Sequence, residues 1–304
     1  MPEPLANRPD VLVLAAGGTL GEAWMRGLLD GAGTAAGIDF RDCEYFVGTS
    51  AGSIVAAFLA AGREPDSGAE ARAARDWAEA AGANGDRPRR LAGLGRLGSA
   101  LAAPLAPVAL ATATPGGAVV RAAALRAVPR TKRSMPGLAR LVDQEGGRFD
   151  GRLRIVAVDR RNGRRVVFGA PDAPRAAVGQ AVLASCSVPG IFAPVRIGGR
   201  EYVDGGVWSL TNLDVTPARR GTEVLCLNPT ASLPSSRSAF GALRAFSRST
   251  AAAETLALRA RGATVRTIAP DARAAEAMGL NLMSRSRVDR VLAAGYAQGR
   301  ALAA

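Results

Sequence analysis

The stretch Gly48-Thr49-Ser50-Ala51-Gly52-Ser53 follows the apolar run Tyr45-Phe46-Val47 and precedes a second one, Ile54-Val55-Ala56-Ala57-Phe58-Leu59-Ala60. A short apolar run, a turn of small residues and a longer apolar run read as strand, tight turn and helix. G-x-S-x-G in that context is the pattern of a nucleophile elbow, whose glycines relieve crowding while the serine projects from the turn. The helix that follows directs the positive end of its dipole at the serine. A glycine-lined turn that merely packs strand against helix has the same residues, so the pattern alone leaves both readings open. The usual catalytic partner is missing, because the chain contains 0 histidines.

The same strand–turn–helix pattern opens the chain. Asp10-Val11-Leu12-Val13-Leu14-Ala15-Ala16 is a continuous apolar run, followed by the loop Ala16-Gly17-Gly18-Thr19-Leu20-Gly21 and a predicted helix over 22–36. Continuous apolar strands are those buried on both faces of a parallel sheet. Further strands are predicted at 153–158, with a hairpin partner at 164–168, at 222–227 and at 264–268. Two short ones fall within 194–204 around Gly198-Gly199. Helices are predicted over 69–81, 176–185, 238–261 and 287–302. Alternating strands and helices over 304 residues imply one α/β domain, 1–304, with a mainly parallel central sheet.

One region breaks the pattern. From 85 to 133 the only acid is Asp86, against Arg87, Arg89, Arg90, Arg96, Arg121, Arg126, Arg130, Lys132 and Arg133. Residues 97–120 carry no charge and have the length of a membrane span, but Pro104, Pro107, Pro115, Gly116 and Gly117 interrupt them. Prolines remove backbone donors that a spanning helix must satisfy internally. An inserted cap or interfacial segment over 85–140, with basic flanks, is the expected reading. A solvated insertion is its competitor.

Composition narrows the function classes. The formal charge is +13 and the pI is near 11.2, which favours anionic partners or reflects an arginine-rich composition. No RNA-recognition or zinc-finger pattern is present, so nucleic acid is not expected as a partner. Cys43, Cys186 and Cys226 are odd in number and widely spaced, which argues against a disulfide framework and for a reducing cytoplasm. Without histidine a zinc site lacks its usual ligands. The first ten residues lack the pattern of a signal peptide.

Three pieces carry chemistry. Beside the Ser50 turn stands the 16–21 loop, whose glycines let backbone N–H groups turn toward a developing oxyanion. A phosphate loop competes for that reading, but neither G-x-G-x-x-G nor a Gly-Lys-Ser/Thr sequence is present. The third piece is Asp204-Gly205-Gly206 at a strand end, which as a lone Asp-Gly is an ordinary turn. A serine needs a base; without histidine the candidates are carboxylates and Lys132, and a carboxylate serves when desolvated and bonded to the serine.

These three pieces, in this order, resemble the patatin-like phospholipase family, which uses a Ser–Asp dyad. The resemblance extends through Ala184-Ser185-Cys186-Ser187-Val188-Pro189-Gly190-Ile191-Phe192-Ala193-Pro194-Val195 and through Tyr202-Val203-Asp204-Gly205-Gly206 to Asn212. It covers about 10–62 and 150–229 and is absent across 85–145. It implies a three-layer α/β/α fold and a lipid or acyl-ester substrate, with no metal and no other cofactor. It implies Ser50 as nucleophile and Asp204 as base. Gly17, Gly18 and Thr19 with Ala51 would form the oxyanion hole, and Gly21, Gly48, Gly52, Gly205 and Gly206 are the motif glycines. The family loop reads G-G-G-x-[R/K]-G, and this chain has Ala16 and Leu20 at the first glycine and the basic position. Those departures keep a catalytically silent lipid-binding relative in view. The basic segment 85–133 is the expected contact with an anionic membrane.

Overall fold

The computed structural model describes residues 4–65, 117–232 and 239–304. The helix expected over 69–81 and the 85–116 part of the expected cap lie outside the described residues.

The sheet is built around β1 (Val11–Leu14), β2 (Tyr45–Thr49) and β3 (Leu153–Asp159), joined in parallel. On the far side of β1 come β7 (Glu223–Leu227) and β8 (Thr264–Ile268), also parallel. Antiparallel strands complete the other side: β4 (Arg165–Phe168), β5 (Val195–Ile197) and β6 (Arg200–Asp204). The sheet is therefore mixed and mostly parallel, with its hairpins at one end.

Side chains alternate between two apolar layers, as the two-residue repeat of a strand requires. Leu12, Leu14, Phe46, Ile155 and Ala157 face one layer, and Val11, Val13, Val47, Val156 and Val224 face the other. The first is covered by α1 (Gly18–Ala36), α2 (Ala51–Ala60), α5 (Val178–Ser185) and α8 (Val288–Ala303) through Trp24, Leu28, Ile54, Phe58, Val182 and Val291. The second is covered by α6 (Ala239–Ala260) through Ala251 and Leu258. Helices on both faces of one sheet make the three-layer α/β/α arrangement.

Two helices fill the stretch before β3: α3 (Gly117–Ala127) and α4 (Pro136–Gln144). Met135, Leu138 and Val142 are buried in the first apolar layer. Leu125 of α3 joins a separate small cluster with Val158 and Val203. The helix α7 (Ala272–Met278), capped by the Asp271 carboxylate on the Ala274 N–H at 2.7 Å, precedes the last helix. Periodicity did not reveal α3, α4 and α7, which are short.

The decisive local geometry is on β3. Its residues 157 and 158 pair with both β4 and β6, and its residues 155 and 156 with both β4 and β2. A residue has only two edges, so β4 occupies one edge of β3, and β2 and β6 share the other end to end. The last residue of β2, Thr49, lies opposite Val156; the last residue of β6, Asp204, lies opposite Ala157. Two strands that arrive from opposite directions thus end next to one another.

Candidate active site

Ser50 sits in the turn between β2 and α2 with φ 52° and ψ −124°. A positive φ is a costly conformation for a residue with a side chain, about 1–3 kcal/mol. It is held there by packing and hydrogen bonds. The Ser50 N–H donates to Ser185 Oγ at 2.8 Å, and that hydroxyl donates to the Val156 carbonyl at 2.6 Å. The Ser50 carbonyl accepts from the Ser53 N–H at 2.8 Å and the Ser53 hydroxyl at 2.6 Å. A Cβ on Gly48 would stand 2.5 Å from the Ser53 Cα, and one on Gly52 2.0 Å from the Leu14 carbonyl oxygen. The turn therefore closes only because both positions lack side chains.

Asp204 ends β6 and is 4% exposed, as is Ser50. Its carboxylate accepts the Gly206 N–H at 2.7 Å, and the Ser50 side chain is close enough to act on it electrostatically. The Asp204 N–H is tied to the Ser187 carbonyl at 3.0 Å. Burial pushes this carboxyl up to about 7, against the smaller lowering effects of the Gly206 N–H and the Ser50 side chain. A carboxyl ionising near 7 can take a proton at neutral pH and return it. Cys186 is the other reactive side chain nearby, with Sγ 3.8 Å from the Ser53 hydroxyl. Burial holds its pKa well above the ordinary value, so it stays a thiol.

The glycine loop leads from β1 directly into α1, whose helical turns start at Gly18, earlier than residue 22. The cause is the apolar neighbour: the Leu20 side chain is fully buried and its N–H donates to the Leu282 carbonyl at 2.9 Å. Leu20 is thus a core residue at the family's basic position. The Ala16 N–H is taken by the Leu210 carbonyl at 2.8 Å. The N–H groups of Gly17, Gly18 and Thr19 have no backbone acceptor among the described residues, as expected at a helix start. The Ala51 N–H likewise opens α2. Gly21 packs on Pro229, Gly205 lies against the Val156 carbonyl, and Gly206 lies beside Ala16, so the 16–21 loop and the Asp204 turn are neighbours.

Two supporting residues had no signal in the sequence strong enough to assign them a role. Ser185 anchors the Ser50 amide, yet as a serine at a helix end it resembles any other. Asn212, at φ 50°, bridges the two halves through Nδ2, which donates to Thr49 Oγ1 at 3.1 Å and to the Ser209 carbonyl at 2.6 Å, with the Gly205 carbonyl at 3.4 Å. Its loop is fixed from α6 by Glu254 Oε2, which accepts from Thr211 Oγ1 at 2.6 Å and the Leu213 N–H at 2.7 Å. Burial and then the nearby Asp214 push Glu254 up to about 7. Among the described residues no group of three His, Cys, Asp or Glu side chains could hold a metal ion. The three cysteines are free and buried.

Among solved structures, VipD from Legionella pneumophila is 16% identical, with a TM-score of 0.43 over 98% of this chain and 67% of that one. The type III effector protein ExoU is 16% identical, with a TM-score of 0.40 over 99% of this chain and 53% of that one. The chain thus spans about two thirds of the first protein and about half of the second. The family model for patatin-like phospholipase matches residues 12–218. That range covers about two thirds of the chain and runs from β1 through the Ser50 turn and the Asp204 turn, so the chain belongs to the patatin-like phospholipase family, a family of lipid acyl hydrolases.

Proposed function

We propose that the protein is a serine acyl-ester hydrolase acting on lipid esters through a dyad of Ser50 and Asp204. The observation that carries this reading is that the strand register brings Ser50, at positive φ after Thr49, beside the buried Asp204 carboxyl, which burial raises to about 7, in a chain with 0 histidines. Asp204 accepts the Ser50 proton as Oγ attacks the ester carbonyl carbon. The N–H groups of Gly17, Gly18, Thr19 and Ala51 receive the oxyanion. Collapse of the tetrahedral intermediate breaks the ester C–O bond, and the proton passes from Asp204 to the leaving alcohol. Water then enters, gives its proton to Asp204 and attacks the acyl carbon; collapse returns that proton to Ser50 and releases the carboxylic acid. Ala16 and Leu20 do not remove any backbone donor from this scheme.

A fluorophosphonate probe and p-nitrophenyl esters of graded chain length test it. Wild type is expected to be labelled and to turn over, and Ser50→Ala is expected to lose labelling and at least a thousandfold, roughly, in kcat. A wild type that is neither labelled nor active makes the silent lipid-binding relative the better reading. An active Ser50→Ala removes the site assignment.

The enzyme is proposed to work in the cytoplasm and to touch anionic membrane through the basic segment 85–133. Of that segment the structure describes 117–133. There Val119 and Val120 are 71% and 45% exposed on α3, with Arg126 also exposed on that helix. Exposed apolar side chains with a cation on the same helix suit an interface with anionic lipid. No helix among the described residues is long and apolar enough to cross a membrane. Val119→Asp with Val120→Asp is expected to reduce co-sedimentation with phosphatidylglycerol vesicles by about tenfold or more. Unchanged co-sedimentation would count against contact through α3.

A further inference from the structure

Arg121, in the middle of α3, is fully buried. Its Nη1 donates to the Gly163 carbonyl at 2.6 Å, in the turn between β3 and β4. Among the described residues its Nε and Nη2 have no hydrogen-bond partner, and no carboxylate there contributes to its electrostatic surroundings. Among the described residues the one charged neighbour that acts on it is another guanidinium, Arg165. Burial, first, and then Arg165 lower its pKa to about 10, so it remains a cation at neutral pH.

A buried guanidinium without an anion is an expensive arrangement, because the charge loses its hydration and gains no partner. Here its orientation is nevertheless fixed. Arg121 lies 4.0 Å from the centre of the Trp208 ring, and Arg165 lies 5.0 Å from the same ring. Arg165 is already committed, with Nη1 and Nη2 each 2.6 Å from the Asp214 carboxylate. Arg121 has no such acid among the described residues. Its two unpartnered groups, Nε and Nη2, form one edge of the guanidinium, the edge that presents two parallel N–H bonds to a pair of oxygens. Neither lies on the side already used by Gly163. Arg161 and Arg164, on the same turn as Gly163, are exposed and add to the positive field that draws anions.

We propose that Arg121 is the receptor for a phosphate group, which its Nε–H and Nη2–H edge binds at a site separate from Ser50 and Asp204. Access requires α3 to shift, and α3 is lightly held. Its buried apolar side chains are the small Ala122 and Leu125, the latter against Val158 and Val203 outside the two main layers, and few apolar contacts mean a low local cost of opening. Trp208 is half-buried, so the stacked pair lies just beneath the surface. The phosphate comes either from solution or from a lipid headgroup, and the two are separable by experiment. Trp208 stands four residues after Asp204, so binding there also touches the segment that holds the base.

The test is thermal denaturation of the full chain, with Trp fluorescence, in titrations of inorganic phosphate and of a short-chain phosphatidylglycerol below its micellar concentration. Sodium chloride at matched ionic strength is the control. A saturable rise in Tm with inorganic phosphate assigns a free anion, and a rise with the phospholipid alone assigns a headgroup. Arg121→Met is expected to match or exceed wild type in Tm without anion, and to raise the half-saturating phosphate concentration by about tenfold or more. Arg121→Lys keeps the charge and lacks the two-donor edge, so it is expected to weaken binding similarly. If Arg121→Met fails to fold, the lysine variant carries the comparison, and Trp208→Phe is expected to remove the fluorescence response. Asp204→Asn should bind phosphate as wild type does, because the site does not include the dyad. The proposal is overturned if neither titrant gives a saturable response in wild type, or if sodium chloride reproduces it. It is equally overturned if Arg121→Lys titrates like wild type.

Discussion

Asp204→Asn is expected to lower kcat by about a thousandfold or more while leaving the protein folded and, above neutral pH, more stable than wild type. Asparagine can accept the Gly206 N–H as aspartate does, but it cannot take the Ser50 proton. Stability follows from linkage. The carboxyl titrates near 3.8 when unfolded and near 7 when folded, so between these values the native state binds more protons than the unfolded one. Wild-type stability from this group therefore falls as pH rises from about 4 through about 7. The difference amounts to at most about 4 kcal/mol above neutral pH, from 1.36 kcal/mol per unit. The asparagine variant escapes that loss. Wild-type kcat/KM should rise with pH through about 7 as Asp204 ionises, and residual activity in the variant should lack that inflection. Parallel pH–rate and pH–Tm profiles check both signs. A variant that retains its pH inflection would assign the base elsewhere.

Gly52→Ala is expected to damage activity and fold together. The added methyl would stand 2.0 Å from the Leu14 carbonyl oxygen and 2.9 Å from that of Ala15. Both are backbone atoms, so α2 must move off the end of β1 rather than a side chain rotate away. Overpacking of this kind costs about 1–3 kcal/mol, and more where backbone is the obstacle. The same displacement separates the Ser50 turn from the loop that begins at Ala16, and a misplacement of about 1 Å costs roughly a hundredfold in rate. A lowered Tm together with slow fluorophosphonate labelling is the expected result. Wild-type labelling would show that the turn does not need its close seat under β1. Asp204→Asn and Gly52→Ala thus separate chemistry from geometry, since only the second should lower stability.

Much of the architecture is legible from local pattern. The strands at 11–14, 45–49, 153–159, 223–227 and 264–268 are apolar runs of strand length, and the long helices α1, α6 and α8 fall where predicted to within a few residues. Where the readings diverge, tertiary contacts are the cause. Helix α1 starts at Gly18 because Leu20 is anchored to Leu282, 262 residues away in sequence (282 − 20). Residues 136–140, at the end of the expected 85–140 cap, open α4, which contributes Leu138 and Val142 to the main apolar layer. The uncharged run 97–120 is described only from residue 117, where a helix begins.

The sequence by itself determined the pieces: a serine between a strand and a helix, a glycine loop after the first strand, and an aspartate at a strand end before two glycines. Each is encoded within a few residues, because turns, strand ends and helix starts depend on local sterics and hydrogen bonding. Only the tertiary structure decided that Ser50 and Asp204 meet across 204 − 50 = 154 residues. That meeting depends on β2 and β6 sharing one edge of β3, a register set by long-range pairing that no local signal encodes. The same packing raised the Asp204 carboxyl to about 7, since desolvation belongs to the assembled core and not to the residue.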